Sequence, residues 1–130
     1  MKLLKLFLLF TDLGFLAYWI VTALHLIPSP YLFHDYHNPL AVAWNWSFLP
    51  LDLMISGTGL SCVFLYQRNH PSWHSLALIS LILTSCSGLQ ALAFWSIRGD
   101  FDLAWWLPNA FLLVYPLWFL PQLVCQPVRS

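Results

Sequence analysis

Charged side chains are scarce in this sequence. Only 8% of its 130 residues are charged and 60% are hydrophobic, whereas about 25% charged residues is usual for a soluble domain. This scarcity excludes an ordinary soluble globular domain and predicts a chain that uses lipid as its solvent. The five basic residues form no cluster, so we expect no nucleic-acid partner, because phosphate binding needs concentrated Lys and Arg.

Metal-binding patterns are also sparse. The three cysteines form no CxxC pair and lie in apolar segments, which favours small core residues over a disulfide framework or a thiolate metal site. His34 and His37 flank Asp35 in a spacing that could bind a metal ion, but no helix or strand is evident to hold them. We therefore predict no metal site and no cofactor.

Long apolar runs fill most of the chain. At about 20 apolar residues per membrane-spanning helix, there is room for four spans, which we place at residues 3–27, 40–66, 75–97 and 103–124. The first run begins like a signal peptide but is too long for one. Short loops make neighbouring helices antiparallel. The sequence thus predicts an all-α membrane protein, a single domain (1–130) folded as an antiparallel four-transmembrane-helix bundle.

Basic residues near the span ends predict the orientation. An even number of spans puts both termini on one side, together with Lys2, Lys5, Arg68 and Arg129, and leaves Arg98 on the other side. Because Lys and Arg are enriched in cytoplasmic loops, we expect both termini to be cytoplasmic.

Asp52 is the most costly residue to bury, since an acid near the centre of a membrane helix costs about 2.5–3.5 kcal/mol on insertion scales. We expect it to face the bundle interior as a functional or tightly partnered group. Counting about 1.5 Å of rise per residue puts Asp12 at a similar depth, so the two acids are expected to meet. Two carboxyls that lie close in a low dielectric cannot both stay ionised cheaply.

A second polar layer is predicted closer to the outer face. Asn45 lies two turns outward from Asp52, and Gln90 and Asn109 reach a comparable height from the last two helices. Aromatic residues surround this level, so we predict an outward-opening pocket with aromatic walls, amides at mid-height and acids at the floor. The predicted ligand-binding residues are Asp52, Asp12, Asn45, Trp44, Trp46, Gln90, Asn109 and Tyr115. A structural alternative is that the amides only tie helices together and that Gly57 and Gly59 only permit close packing.

Three segments carry a resemblance to a known family: residues 10–19 (FTDLGFLAYW), 25–28 (HLIP) and 44–56 (WNWSFLPLDLMIS). They are similar to the YvaD-like small bacterial membrane proteins, over nearly the whole chain. The resemblance implies four spans and the bacterial inner (plasma) membrane, and supplies no activity.

A fainter resemblance is to the EXPERA group of four-span sterol isomerases and sigma-2-type receptors. It rests on Asp12, Asp52 and the proline-broken residues 105–116 (WWLPNAFLLVYP). It implies binding of a lipid or an amine, while isomerase activity lacks support because the catalytic histidine of that group has no clear counterpart.

These observations favour a protein that binds a small hydrophobic or lipid-like ligand, with a cationic group allowed. The alternative is an accessory subunit or assembly partner of a larger membrane complex, or a homo-oligomer, with its polar positions facing another chain. An EXPERA-like isomerase ranks third, so binding is favoured over enzymatic activity. The two leading hypotheses differ in whether the polar positions face inward around a cavity or outward on a helix face.

Overall fold

The computed structural model describes residues 2–24, 39–99, 101 and 103–125, apart from the side chain of Ala41. These residues form four α-helices. Their bounds are α1, Lys2–Ala23; α2, Pro39–Gln67; α3, Trp73–Arg98; and α4, Leu103–Val124. The predicted all-α fold with four long apolar helices is confirmed. The helix bounds agree with the predicted spans to within two residues, except at the end of the first span, where residue 24 is a turn and residues 25–27 lie outside the described residues.

All four helices are long and apolar enough to cross a membrane. Large apolar side chains cover the outside of the bundle, where an aqueous protein would carry polar groups. Examples are Phe10, Ile97, Leu107 and Trp118, each more than 60% exposed. Composition, helix length and this apolar exterior together describe a helical membrane protein.

Sequential helices run antiparallel. Tyr18 of α1 donates to Asn45 near the start of α2, whereas the Asp12 carbonyl, closer to the start of α1, accepts from Ser56 further along α2. The same reversal relates α3 and α4, through hydrogen bonds from His74 to the Leu123 carbonyl and from Ser85 to the Leu113 carbonyl. The antiparallel arrangement of these neighbouring helices agrees with the prediction.

The half of the bundle that holds the chain ends is densely packed. Its buried core is Leu4, Leu8, Cys62, Val63, Ala77, Leu81, Tyr115, Phe119 and Leu123. Here α1 reaches α4 through rings, with Phe7 stacked on Tyr115 at a centroid distance of 5.0 Å. These side chains fill this half of the bundle, whereas the core cluster of the other half has one buried residue, Trp95, with Trp44, Phe94 and Trp105 packed against it.

Gly88 sets the spacing between α3 and α4. A Cβ atom at this position would lie 2.5 Å from the Asn109 carbonyl oxygen and 2.7 Å from the Leu113 amide nitrogen. Backbone atoms cannot move aside as a flexible side chain can, so this close approach requires glycine. Gly99, with φ of 78°, ends α3 in the left-handed conformation that glycine adopts without strain.

Candidate functional site

The half of the bundle that holds the end of α1 and the start of α2, called the outer half after the predicted orientation, encloses a cavity of about 470 Å³. All four helices line it. The lining residues are Phe10, Thr11, Gly14, Phe15, Tyr18, Trp19, Trp44, Asn45, Phe48, Asp52, Ser87, Ala91, Trp95, Ala104, Trp105, Pro108, Asn109, Phe111 and Leu112. This volume lies within the range of about 300–1,000 Å³ that is typical of small-molecule sites.

Asp52 is buried at the deep end of this cavity, where two other helices satisfy its carboxylate. Trp19 of α1 donates its indole N–H to Asp52 Oδ2 at 2.9 Å, and the Ser87 hydroxyl of α3 donates to Oδ1 at 3.4 Å. Each carboxylate oxygen can accept two hydrogen bonds. Asp52 therefore keeps acceptor capacity for a group inside the cavity while two side chains fix its orientation.

The amides Asn45 and Asn109 both line the cavity, but they do not form one layer. Asn45 accepts from the Tyr18 hydroxyl at 3.2 Å, about two turns outward from Asp52 along α2. Asn109 contacts Gly88, the neighbour of Ser87, so it lies nearly level with Asp52. Its side-chain nitrogen donates to the Trp105 carbonyl of its own helix at 2.7 Å, which leaves the amide oxygen as an acceptor.

Aromatic rings cover the outer end of the cavity. Trp44 stacks on Phe94 with ring centroids 3.9 Å apart and meets Trp95 edge-on at 5.5 Å, and Trp105 packs against the same cluster. The expected aromatic wall is present. The expected outward opening is not what the described residues show, because the exposed lining residues are Phe10 and Gly14 of α1 and Ala104 and Pro108 of α4.

The two acids do not meet, contrary to the expectation from depth alone. Asp52 pairs with Trp19, which follows Asp12 by two helical turns, about 10 Å along α1. The Asp12 carboxyl instead packs on Gly59, where an added Cβ would collide with it. It is fully buried and its two oxygens have no hydrogen-bond partner. Depth counted from the helix ends missed this separation because it ignored the register between α1 and α2.

Tyr115 and Trp46 are near the cavity but do not line it. Tyr115 donates to Thr11 Oγ1 at 2.9 Å and is buried in the packed inner half. Its ring thus supports the layer below Asp52. Trp46 is half-buried, and its ring lies 5.1 Å from that of Trp19, so it packs behind the residue that donates to Asp52.

Gln90 lies on the wrong face for the predicted layer. It is exposed, as are Cys86 and Ala93, which lie one turn away on either side. The buried stripe of α3 passes instead through Ser87, Ala91 and Trp95. The direction of the Gln90 side chain depended on packing against α2 and α4, which height along a helix does not predict.

Sequence reasoning missed Trp19, whose indole N–H makes the shorter of the two hydrogen bonds to Asp52 described above. A signal was available, since a tryptophan inside a span needs an acceptor for its N–H when buried. No group of three metal-binding side chains occurs among the described residues, while His34, Asp35 and His37 lie outside them.

Chemically, the cavity offers one carboxylate, two amides and several hydroxyl and indole groups inside a mostly apolar wall. No Lys, Arg or His is among its lining residues in the described part of the chain. Such a wall suits an apolar molecule with one hydrogen-bond-donating or positively charged group, because a buried anion would face Asp52 without a cation to offset it.

Comparison with known proteins agrees with the resemblance to the YvaD-like proteins. Over residues 4–130 the chain matches a family of unknown function, DUF5360. It is 52% identical to the uncharacterized protein YvaD of Bacillus subtilis (strain 168), over 100% of this chain and 98% of the relative. No solved structure matches the chain. The protein therefore belongs to the YvaD-like family of unknown function, DUF5360.

Proposed function

We propose that this protein binds a small hydrophobic or lipid-like ligand in the outer cavity, with Asp52 as its polar anchor. The observation that carries the proposal is a buried carboxylate, held by Trp19 and Ser87, at the deep end of an aromatic-walled cavity of about 470 Å³. An acid is costly to bury in a membrane. Its placement on a cavity, with acceptor capacity left over, supports a binding role better than a packing role.

The inward direction of the polar groups also supports binding over subunit assembly. Asn45 and Asp52 are 8% and 5% exposed, and both line the cavity. If they served a contact with another chain, they would lie on the outside of the bundle.

Gln90 supports a second, weaker proposal. It is a polar residue on the exposed face of α3, next to Leu89 and about two turns from Ile82, which are 55% and 50% exposed. A polar side chain in a membrane gains from a partner helix. A contact with another membrane protein or a second copy of this chain, across the Gln90 face, is therefore the alternative role.

The proposed location is the bacterial plasma membrane with both termini cytoplasmic. The distribution of basic residues supports this orientation, and the full-length similarity to a bacterial relative supports the location. In this orientation the cavity lies in the outer leaflet half of the bundle.

The proposal is tested by identifying what co-purifies with the protein. Native mass spectrometry of protein extracted from its own membrane should show a bound small molecule or lipid. Ala91 is buried against the cavity, so Ala91→Phe should fill the space and remove that mass. Ala93→Phe is the matched control, because Ala93 is exposed on the same helix and does not line the cavity. If Ala91→Phe retains the bound mass at the wild-type level with an unchanged melting temperature, the cavity is not the binding site.

A further inference from the structure

The cavity has a lateral opening between α1 and α4, bounded by two pairs of aromatic rings. On the inner side Phe10 meets Phe111 edge-on, with centroids 6.2 Å apart. On the outer side Tyr18 meets Trp105 edge-on, also at 6.2 Å. Phe10 and Tyr18 are separated by about 12 Å of helix. A slot of this length therefore lies between the two ring pairs.

Gly14 lies in the middle of the slot and has no side chain to close it. A Cβ atom at Gly14 would have no heavy atom within 4 Å. Across the slot, α4 contributes Pro108, with Ala104 one turn further out beside Trp105, and Gly14, Pro108 and Ala104 are all exposed and line the cavity. The exposed lining of the cavity is thus concentrated at this slot.

The slot opens at hydrocarbon depth. Gly14 lies near the middle of the 22-residue α1, and that helix is long and apolar enough to cross a membrane. Molecules that reach the slot from outside the bundle therefore come from the acyl region of the bilayer. An apolar chain can occupy the slot without exposing polar backbone, since the helical hydrogen bonds of α1 are internal.

The charge of the lining limits the head group of such a molecule. Asp52 is the one acidic residue that lines the cavity in the described part of the chain, and no Lys, Arg or His accompanies it there. A cationic amine would pair with Asp52 and add charge-assisted hydrogen bonds, whereas a phosphate or sulfate would be repelled.

We propose that the α1–α4 slot is an entrance from the bilayer for a membrane amphiphile with a cationic amine head, whose chain lies in the slot while its head contacts Asp52. This inference rests on the proposed function and adds the class of ligand and its route. The route is from the lipid phase between two helices, and not from water through the aromatic cluster of Trp44, Phe94 and Trp95.

A photoactivatable long-chain alkylamine that carries a diazirine tests the route. The purified full-length protein is placed in phosphatidylcholine nanodiscs, irradiated with the probe, and digested to map the label by mass spectrometry. Wild type should be labelled on cavity-lining residues. Gly14→Trp should lose this labelling, because the indole would occupy the slot. Gly57→Trp is the matched control, because Gly57 is also helical and exposed and a Cβ added there would have no heavy atom within 4 Å, but it does not line the cavity. This variant should be labelled like wild type.

Equal cavity labelling of Gly14→Trp and wild type would overturn the slot as the entrance. If Gly14→Trp does not fold, Ala104→Trp replaces it, with Ala93→Trp as control, and equal labelling overturns the inference in the same way. The matched alkyl sulfate probe tests the head group, and cavity labelling as strong as that of the amine would overturn the cationic assignment. Loss of the co-purified ligand in Ala91→Phe together with unchanged labelling of Gly14→Trp would reject the entrance while the proposed function stands.

Discussion

Trp19 and Asp52, on different helices, are joined by a hydrogen bond of 2.9 Å from the indole Nε1 to the carboxylate Oδ2. This bond fixes the register of α1 on α2 at the level of the cavity floor. Trp19→Phe keeps the ring but removes the donor, so we expect the free energy of unfolding to fall by about 1–3 kcal/mol. Thermal unfolding in detergent measures the effect.

Trp118→Phe is the matched control for Trp19→Phe. Trp118 is 69% exposed on α4, and its replacement should leave the melting temperature nearly unchanged. The assignment to the Trp19–Asp52 bond would be wrong if both variants melted alike, or if Trp19→Phe had the same effect in an Asp52→Leu background, which lacks the acceptor, as in wild type.

We predict that position 59 requires glycine, because the buried carboxyl of Asp12 occupies the space that a Cβ would take. Gly59→Ala would drive the new Cβ into that carboxyl. We expect this overpacking to lower the free energy of unfolding by about 1–3 kcal/mol and so to lower the melting temperature. Gly57→Ala, two residues away with open space around it, should be neutral or stabilising, because alanine favours a helix over glycine. The double variant Asp12→Ala/Gly59→Ala should recover stability relative to Gly59→Ala. A Gly59→Ala protein as stable as Gly57→Ala would refute this contact.

Two amide substitutions distinguish the hypothesis of a ligand in the cavity from that of a partner chain on the exposed face of α3. Asn45→Leu should reduce ligand retention, because Asn45 is buried on the cavity and accepts from Tyr18. Gln90→Leu should leave retention and melting temperature unchanged, because its side chain is exposed. Native mass spectrometry reports both ligand and oligomer. Loss of a partner chain in Gln90→Leu, with ligand retained in Asn45→Leu, would favour the accessory-subunit hypothesis.

The sequence predicted the fold well because each feature that decides it is local. Apolar runs interrupted at residues 67–74 and 98–102 fix the span ends, and the cost of burying Asp52 predicts that it faces inward. The failures concern relations between helices. Gln90 was expected on the cavity but lies on the exposed face of α3, and Asp12 was paired with Asp52 although its carboxyl packs on Gly59, about two turns from Asp52 along α2. Both errors depend on packing that a single sequence does not encode locally. An EXPERA-like isomerase stays a prediction from resemblance.

The proposed orientation is tested by cysteine labelling in a background without Cys62, Cys86 and Cys125. A cysteine at position 29 should react with an impermeant thiol reagent added to intact cells, because this loop is expected outside. A cysteine at position 130 should react only after the membrane is permeabilised. The reverse pattern would put the cavity in the cytoplasmic half of the membrane.

The measurement that most directly tests the central claim is how much ligand the Asp52→Asn variant retains. Native mass spectrometry measures the retained ligand, and thermal unfolding of the same sample measures stability. The amide keeps an acceptor for Trp19 and avoids the cost of a buried charge, so the melting temperature should stay close to that of wild type. Asp52→Leu is less clean, because it would leave the Trp19 N–H unpaired. If the carboxylate anchors the ligand, Asp52→Asn should weaken binding by about 1–3 kcal/mol through loss of a charge-assisted hydrogen bond. Wild-type ligand retention by Asp52→Asn would contradict the account.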